Sequence, residues 1–258
     1  MGSAGLTLIE KKLPKIKQDY HLDFVIAQAE NVTEGRGCSV TDFQKLKQAG
    51  VDFCTGGNWS TYQKSLWPVL NDPHQPIIRP LNYPGSTPGL GFKYLDAGFG
   101  PVLVISLLGK IVGKDSQLKL ENPLQAIDHV LQQEALRPKV AVIVNYHGDY
   151  SSEKVVIGHY LNGRVSAIIG DHWHVPTADG RLLDKGTAHI TDVGMVGCLN
   201  SSLGIKLEKI IERWRDGVVN RNQLEKDGPY QLNGFIFEVD LSTKKAVNAQ
   251  SINLVFDI

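Results

Sequence analysis

Cysteine is scarce in this chain. Cys38, Cys54 and Cys198 are the only three in 258 residues, and no two have a paired spacing. So odd and scattered a set excludes a disulfide framework and a thiolate zinc site, and fits reduced, buried thiols in a cytoplasmic protein. Net charge is missing too. The 27 Lys and Arg balance 27 Asp and Glu, which removes any broad electrostatic pull toward nucleic acid or membrane. No uninterrupted apolar run approaches the ~18 residues of a membrane span, and the N-terminus lacks a signal-peptide core. Internal repeats and low-complexity segments are absent. What remains is expected to be one globular domain over residues 1–258, cytoplasmic, with a small-molecule partner, no membrane and no stable nucleic-acid complex.

The apolar pattern alternates between helix and strand. Leu6, Ile9, Leu13 and Ile16 have helical spacing, and Pro14 should end or kink that helix near Leu13. A short apolar run over 24–29 ends in Glu30 and Asn31. A helix from Thr41 carries Phe43, Leu46 and Ala49 and stops at Gly50. The strand expected at 51–55 runs into Gly56, Gly57, Asn58 and Trp59. After turn-rich chain, 92–95 and 102–108 read as an antiparallel pair around 98–101. Asn122 and Pro123 open a helix that lasts until Pro138. The strand at 140–144 ends in Asn145, Tyr146 and His147, Ser151 caps a helix over 153–161, and the run 165–169 stops at Gly170. A strand at 188–193, a helix at 205–215 and a hairpin of 232–241 with 246–256 follow. Such alternation implies an α/β protein with a mixed sheet or two packed sheets.

Just past Gly170 come His172 and His174, one residue apart. In an extended chain both would point to the same side and face one point, and neutral imidazole is a good ligand for first-row metals. The plainer reading is that Trp173 anchors a loop and the histidines are polar caps. The other strand ends decide between them, since α/β sheets collect functional residues at the carboxyl ends of their strands. Four such ends supply Glu30 with Asn31, Asn58, His147, and His172 with His174. One carboxylate, two amides and three imidazoles make a mixed N/O shell too large for one four-coordinate metal and about right for two. Two nearby dications repel, and a shared carboxylate, Glu30, relieves the repulsion. Hydrolysis of a phosphate ester is the chemistry such a centre suggests. Asp149 and Asp171 flank the site in hydrogen-bonding or turn roles rather than as ligands, and His21, His74, His129, His159 and His189 read as structural.

The stretches AENVTEGRG, GGNW, RPLNYP, STPGLG, NYHGDYSSEK, GDHWHVPTAD and GTAHITDVGM resemble the YmdB-type metallophosphoesterases, bacterial 2′,3′-cyclic-nucleotide phosphodiesterases of the calcineurin-like superfamily. The likeness implies a four-layer α/β/β/α sandwich and two divalent metal ions, with iron expected and manganese or zinc as alternatives. It also implies a small phosphate ester as substrate and a homo-oligomer. By motif, Glu30, Asn31 and His174 would hold one metal, and Glu30, Asn58, His147 and His172 the other. Two departures follow from the same likeness. The family opens with a strand ending in Gly-Asp, whose Asp is a ligand, and Met1–Gly5 matches the loop just after it. The first strand is therefore expected to be missing here, the natural start to lie upstream of Met1, and neighbouring strands to keep unpaired edges. Second, Trp59 stands where the family carries a proton-donating histidine. Indole has no titratable group in the useful range, so a loss of roughly 10²–10⁴-fold in rate is expected. The competing reading is a catalytically impaired regulator that binds metal or nucleotide, with Trp59 stacking on a base. A metal-free structural subunit is a third.

Overall fold

Apolar strands and amphipathic helices alternate to build four layers in the structure, a computed structural model that describes residues 1–257. In chain order the elements are α1 (Gly2–Asp19), β1 (Ile26–Gln28), α2 (Val40–Gln48), β2 (Phe53–Thr55), α3 (Trp67–Asn71), β3 (Phe92–Asp96), β4 (Pro101–Leu108), α4 (Pro123–Gln133) and β5 (Ala141–His147). Then come α5 (Ser151–Tyr160), β6 (Ala167–Asp171), β7 (Arg181–Leu182), β8 (Ala188–Ile190), β9 (Val196–Cys198), α6 (Leu207–Asp216), β10 (Tyr230–Asp240) and β11 (Lys245–Phe256). One β layer is a six-stranded sheet in the order β3-β4-β5-β6-β8-β7. Its inner strands are parallel and its two edge strands antiparallel. The other layer consists of the parallel pair β1-β2 and the antiparallel ribbon β11-β10-β9.

Side chains alternate across each strand, which is why β4 can serve two cores. Leu103, Ile105 and Leu107 face out against Ile127 and Val130 of α4 and Ile157 of α5. Val102 and Val104 face in, where they meet Phe53 of β2 and, on the other ribbon, Phe237 and Val239. On the far side of β1-β2, helices α1 to α3 contribute Leu6, Leu13, Phe43, Leu46 and Leu70 to a third core with Val51 and Cys54. The sequence α, β, β, α across the molecule is thus set by which face of each strand is apolar. Among the described residues, no helix is long and apolar enough to cross a membrane.

Several local readings need correction. α1 continues through Pro14 to Asp19. The carbonyl that Pro14 cannot bond belongs to exposed Glu10, and Pro14 is itself exposed, so water satisfies the gap while Leu13 and Ile16 stay buried. Met1–Gly5 is the start of this helix rather than a loop, and the Gly2 N–H donates to the Asn31 carbonyl at 2.9 Å. α2 is capped by Ser39, whose hydroxyl accepts from the Asp42 N–H, not begun by Thr41. Ser151 is the first residue of α5 and supplies no side-chain cap. Asn122 does cap α4, accepting from the Leu124 and Gln125 N–H groups. β1 pairs along one side with β2, and β10 pairs beyond Leu232 with β11 alone among the described residues.

Candidate metal centre

The expected residues gather where β1, β2, β5 and β6 end. Glu30 follows β1 and is 2% exposed. Its Oε2 accepts the Gly57 N–H at 2.5 Å and its Oε1 the Trp59 N–H, so the turn after β2 holds the carboxylate in place. Burial pushes the Glu30 carboxyl up to about 7, against the downward pull of His147 and the two N–H groups. Gly57 must be glycine here, because a Cβ would lie 2.3 Å from the His147 ring.

His147, at the end of β5, is oriented from behind. Its Nδ1 donates to Asp171 Oδ1 at 2.5 Å, while Asp171 Oδ2 accepts from Gln28 at 3.0 Å and Asn145 at 2.6 Å. The other ring nitrogen, Nε2, then faces Asn58 Oδ1 at 2.9 Å, His172 Nδ1 at 2.9 Å and Glu30 Oε1 at 3.9 Å. Asn58 cannot turn its NH₂ inward, since that group donates to Asp115 Oδ2 at 2.6 Å. His172 directs its Nε2 to Asp149 Oδ1 at 3.2 Å. Three lone pairs therefore converge with no proton among them while both rings are neutral. Burial first, and then His147, lowers His172 to about 4. For His147, burial pulls downward, but the charge and hydrogen bond of Asp171 outweigh it and leave the ring above its ordinary value. A proton on His147 Nε2 and a cation thus compete for one position.

The second cluster repeats the arrangement. His174 Nδ1 donates to the Leu203 carbonyl at 3.2 Å, which turns Nε2 toward Asn31 Oδ1 at 3.1 Å. The Asn31 NH₂ is engaged by the Gly35 carbonyl at 2.8 Å. Burial is the main cause that brings His174 down to about 4, so again two acceptors face each other. Such pairs are arranged as the donor atoms of a cation site would be, with hydrogen-bonded support behind each. Among the described residues, no three His, Cys, Asp or Glu side chains make a metal cage by themselves; the amide oxygens of Asn31 and Asn58 are integral to both donor sets. The residues fit divalent metal of the N/O-binding kind.

His172 and His174 do not share one point, as extended alternation would require. Both lie past the end of β6 with left-handed backbones, φ 119° and 65°, and they serve opposite ends of the site. Strain of roughly 1–3 kcal/mol per residue is held by Trp173 between them. Its N–H donates to Asp192 Oδ2 at 2.8 Å and its indole to the Asp149 carbonyl at 3.0 Å. Lys154 lies 4.0 Å from the indole centroid and 2.9 Å from Asp192 Oδ2, with both side chains of that pair 0% exposed. Trp173 is therefore a loop anchor, and the two histidines turn ring nitrogens toward His147 and Asn31. Lys154 and Asp192 were not legible beforehand, being 38 residues apart, although both lie inside stretches that carry the family likeness. Trp59 reaches the site through its backbone. Its ring lies under Arg36 at 4.9 Å and meets Tyr62 edge-on at 5.2 Å.

Comparison with known proteins accords with this geometry. A family model described as YmdB-like protein matches residues 1–252. The chain is 35% identical over 252 residues to a Bacillus subtilis (strain 168) 2′,3′-cyclic-nucleotide 2′-phosphodiesterase, covering 98% of this chain and 93% of that one. The crystal structure of a novel phosphatase from Mycoplasma pneumoniae superposes with a TM-score of 0.89 at 35% identity, covering 98% of this chain and 90% of that one. A Staphylococcus aureus structure of the 5′-nucleotidase type has the same fold, with a TM-score of 0.61 at 15% identity, over 97% of this chain and 49% of that one. The α/β/β/α sandwich is of the calcineurin-like metallophosphoesterase type.

Proposed function

The chain belongs to the YmdB-like family, and from that membership we propose that it is a dinuclear-metal-dependent phosphodiesterase hydrolysing cyclic nucleotides or related small phosphate esters in the cytoplasm. The observation that carries this reading is the convergence of acceptors on His147 Nε2, with Asn58 Oδ1 and His172 Nδ1 each 2.9 Å from it. A cation between them satisfies all three lone pairs at once. Glu30, Asn58, His147 and His172 would hold one ion, and Glu30, Asn31 and His174 the other. Two divalent ions, iron first and manganese or zinc as alternatives, would polarise the phosphoryl oxygens and acidify water near neutral pH.

The chain's own contributions are positional. Asp171 keeps the proton of neutral His147 on Nδ1, so that Nε2 presents its lone pair inward once the ring has lost its second proton. The Gly57 and Trp59 N–H groups hold the Glu30 carboxylate, with Oε1 3.9 Å from His147 Nε2. Asp115 and the Gly35 carbonyl hold the two asparagine amides with oxygen inward. Trp59 can donate through its indole N–H but cannot deliver a proton to a leaving alkoxide, which lowers turnover by roughly 10²–10⁴-fold.

A second reading has its own support. The Trp59 ring, bracketed by Arg36 and half-exposed Tyr62, is an aromatic and cationic platform on which a base could stack in a regulator without fast hydrolysis. The test is hydrolysis of 2′,3′-cyclic AMP by the manganese- or iron-loaded chain beside its Trp59→His variant, with metal content measured on both. Slow turnover that rises in the variant by about 10²–10⁴-fold is expected. Two bound metals with no hydrolysis by either protein favour the regulator, and an unchanged rate means position 59 is not limiting.

A further inference from the structure

The segment that joins β4 to α4 leaves a space against the outer face of the large sheet. Asn82 is fully buried and pins both ends of that segment. Its Oδ1 accepts the Leu108 N–H at 2.8 Å, and its NH₂ donates to the Leu108 and Glu121 carbonyls at 2.8 and 3.0 Å. Between the pinned segment and α5 lies a cavity of about 650 Å³. Leu118 and Leu120 line it from the segment, and buried Tyr146 of β5 and Ile157 of α5 from the sheet side. Half-exposed Val156 stands at its rim. Small organic molecules occupy cavities of roughly 300–1,000 Å³ with apolar walls and a few fixed polar groups.

The charges on the walls are mostly negative. Asp115, Glu121 and Glu153 line the cavity with a single lysine, Lys110, among the described side chains. Glu153 Oε2 accepts the Tyr146 hydroxyl at 3.1 Å and the Lys110 N–H at 2.9 Å, and Asp115 Oδ2 accepts the Asn58 amide at 2.6 Å. All three donors are neutral. They steer the carboxylates without cancelling their charge. Two helices also begin here, α4 after Asn122 and α5 after Tyr150, and each N-terminus carries roughly half a positive charge. With Lys110 these ends leave about one unit of negative charge on the walls. One ammonium group neutralises it, and the Tyr150 ring at the rim adds a surface that attracts cations.

We propose that this cavity binds a small organic cation, with an apolar or aromatic body and an ammonium head directed at Glu153. The body displaces water from Leu118, Leu120 and Ile157, and the ammonium donates to a carboxylate that two hydrogen bonds already hold in place. An anion of the same shape meets three carboxylates and is rejected. That preference is the reverse of the metal centre's, where phosphate is the expected guest. Asp115 both lines the cavity and holds the Asn58 amide, so one carboxylate separates the two sites. Binding here requires neither metal nor hydrolysis and does not rest on the phosphodiesterase reading.

The experiment is calorimetric titration of the intact, metal-free chain with tryptamine and, separately, with indole-3-propionate. The two probes share an indole and a two-carbon arm and differ in ending in ammonium or carboxylate. Tryptamine should saturate one site per chain, and indole-3-propionate should bind at least about tenfold more weakly. Glu153→Gln keeps an oxygen for the Tyr146 and Lys110 donors but removes the charge, and should weaken tryptamine by about tenfold. Val156→Trp, made at a residue 53% exposed, should keep the parent's circular dichroism spectrum and lose tryptamine binding by filling the rim. No saturable tryptamine binding by the parent at the highest soluble concentration overturns the proposal. Equal affinity for the two probes overturns it as well, as does parent-like tryptamine binding in either variant.

Discussion

Replacing Asp171 by Asn tests the idea that His147 is aimed from behind. Asp171 is 4% exposed and accepts from three donors, His147 Nδ1, Gln28 Nε2 and Asn145 Nδ2. An amide keeps one acceptor oxygen and turns two hydrogens toward donors. If the oxygen stays with His147, the NH₂ opposes Gln28 and Asn145, and those groups must rotate or remain unpaired at about 1–3 kcal/mol. If it rotates, His147 loses the partner that sets its tautomer. Either way the larger of the two charges that raise His147 is gone, and Glu30 alone is left to oppose burial, so the ring's pKa falls. Loss of such support lowers metal affinity by roughly 10–100-fold. The assay is calorimetric titration of Mn²⁺ into chelator-treated protein near pH 6 and pH 8. In the parent, the raised His147 is protonated at the lower pH and competes with metal, so affinity falls steeply on acidification. In Asp171→Asn, affinity should be weaker at both pH values but less steep. Parent-like affinity, or parent-like steepness in the variant, would refute the reasoning.

Other expectations follow from the same contacts. Gly57→Ala places a Cβ 2.3 Å from the His147 ring, so the ring must move; metal content should fall below half of the parent's while the far-UV spectrum holds, and full occupancy would sink the argument. For metal-free protein, Glu30 is raised from 4.5 to about 7. A raised folded-state pKa contributes stability that is complete below pH 4.5 and lost as pH rises through about 7. Unfolding free energies of parent minus Glu30→Gln should therefore decline across that window by on the order of 3 kcal/mol; a flat difference from urea melts at several pH values contradicts it. Lys154→Met leaves the Asp192 carboxylate buried without its cation, which should cost about 3–5 kcal/mol in urea denaturation. Lys154→Met combined with Asp192→Asn should recover part of that loss, and an unshifted midpoint for Lys154→Met would show that the pair holds nothing.

Much of this protein is legible in its residues one stretch at a time. Continuous apolar runs such as 102–105 and 140–144 declare buried strands because both faces of a central strand need apolar side chains. The ligand-type residues stand out because Glu30, Asn58, His147 and His172 each come within three residues of the end of an expected strand, and motif likeness then assigns the family. What the sequence determined, then, was the order of elements, the strand ends that carry polar groups and the identity of the donor atoms. Their directions were decided only by the tertiary structure. The left-handed backbone at His172 and His174 sends two near neighbours to separate clusters, as the motif likeness implied and contrary to the same-side expectation from strand alternation, and Asn31 and Asn58 present oxygen rather than nitrogen because Gly35 and Asp115 take up their amide hydrogens. The helix through Pro14 survives because a lost hydrogen bond at the surface is replaced by water, a fact of burial that local propensity cannot see. The Lys154–Asp192 pair and the Asp171 hub join residues distant in sequence. No periodicity announces such contacts, because a buried charge is tolerated only where the folded chain brings its partner to it.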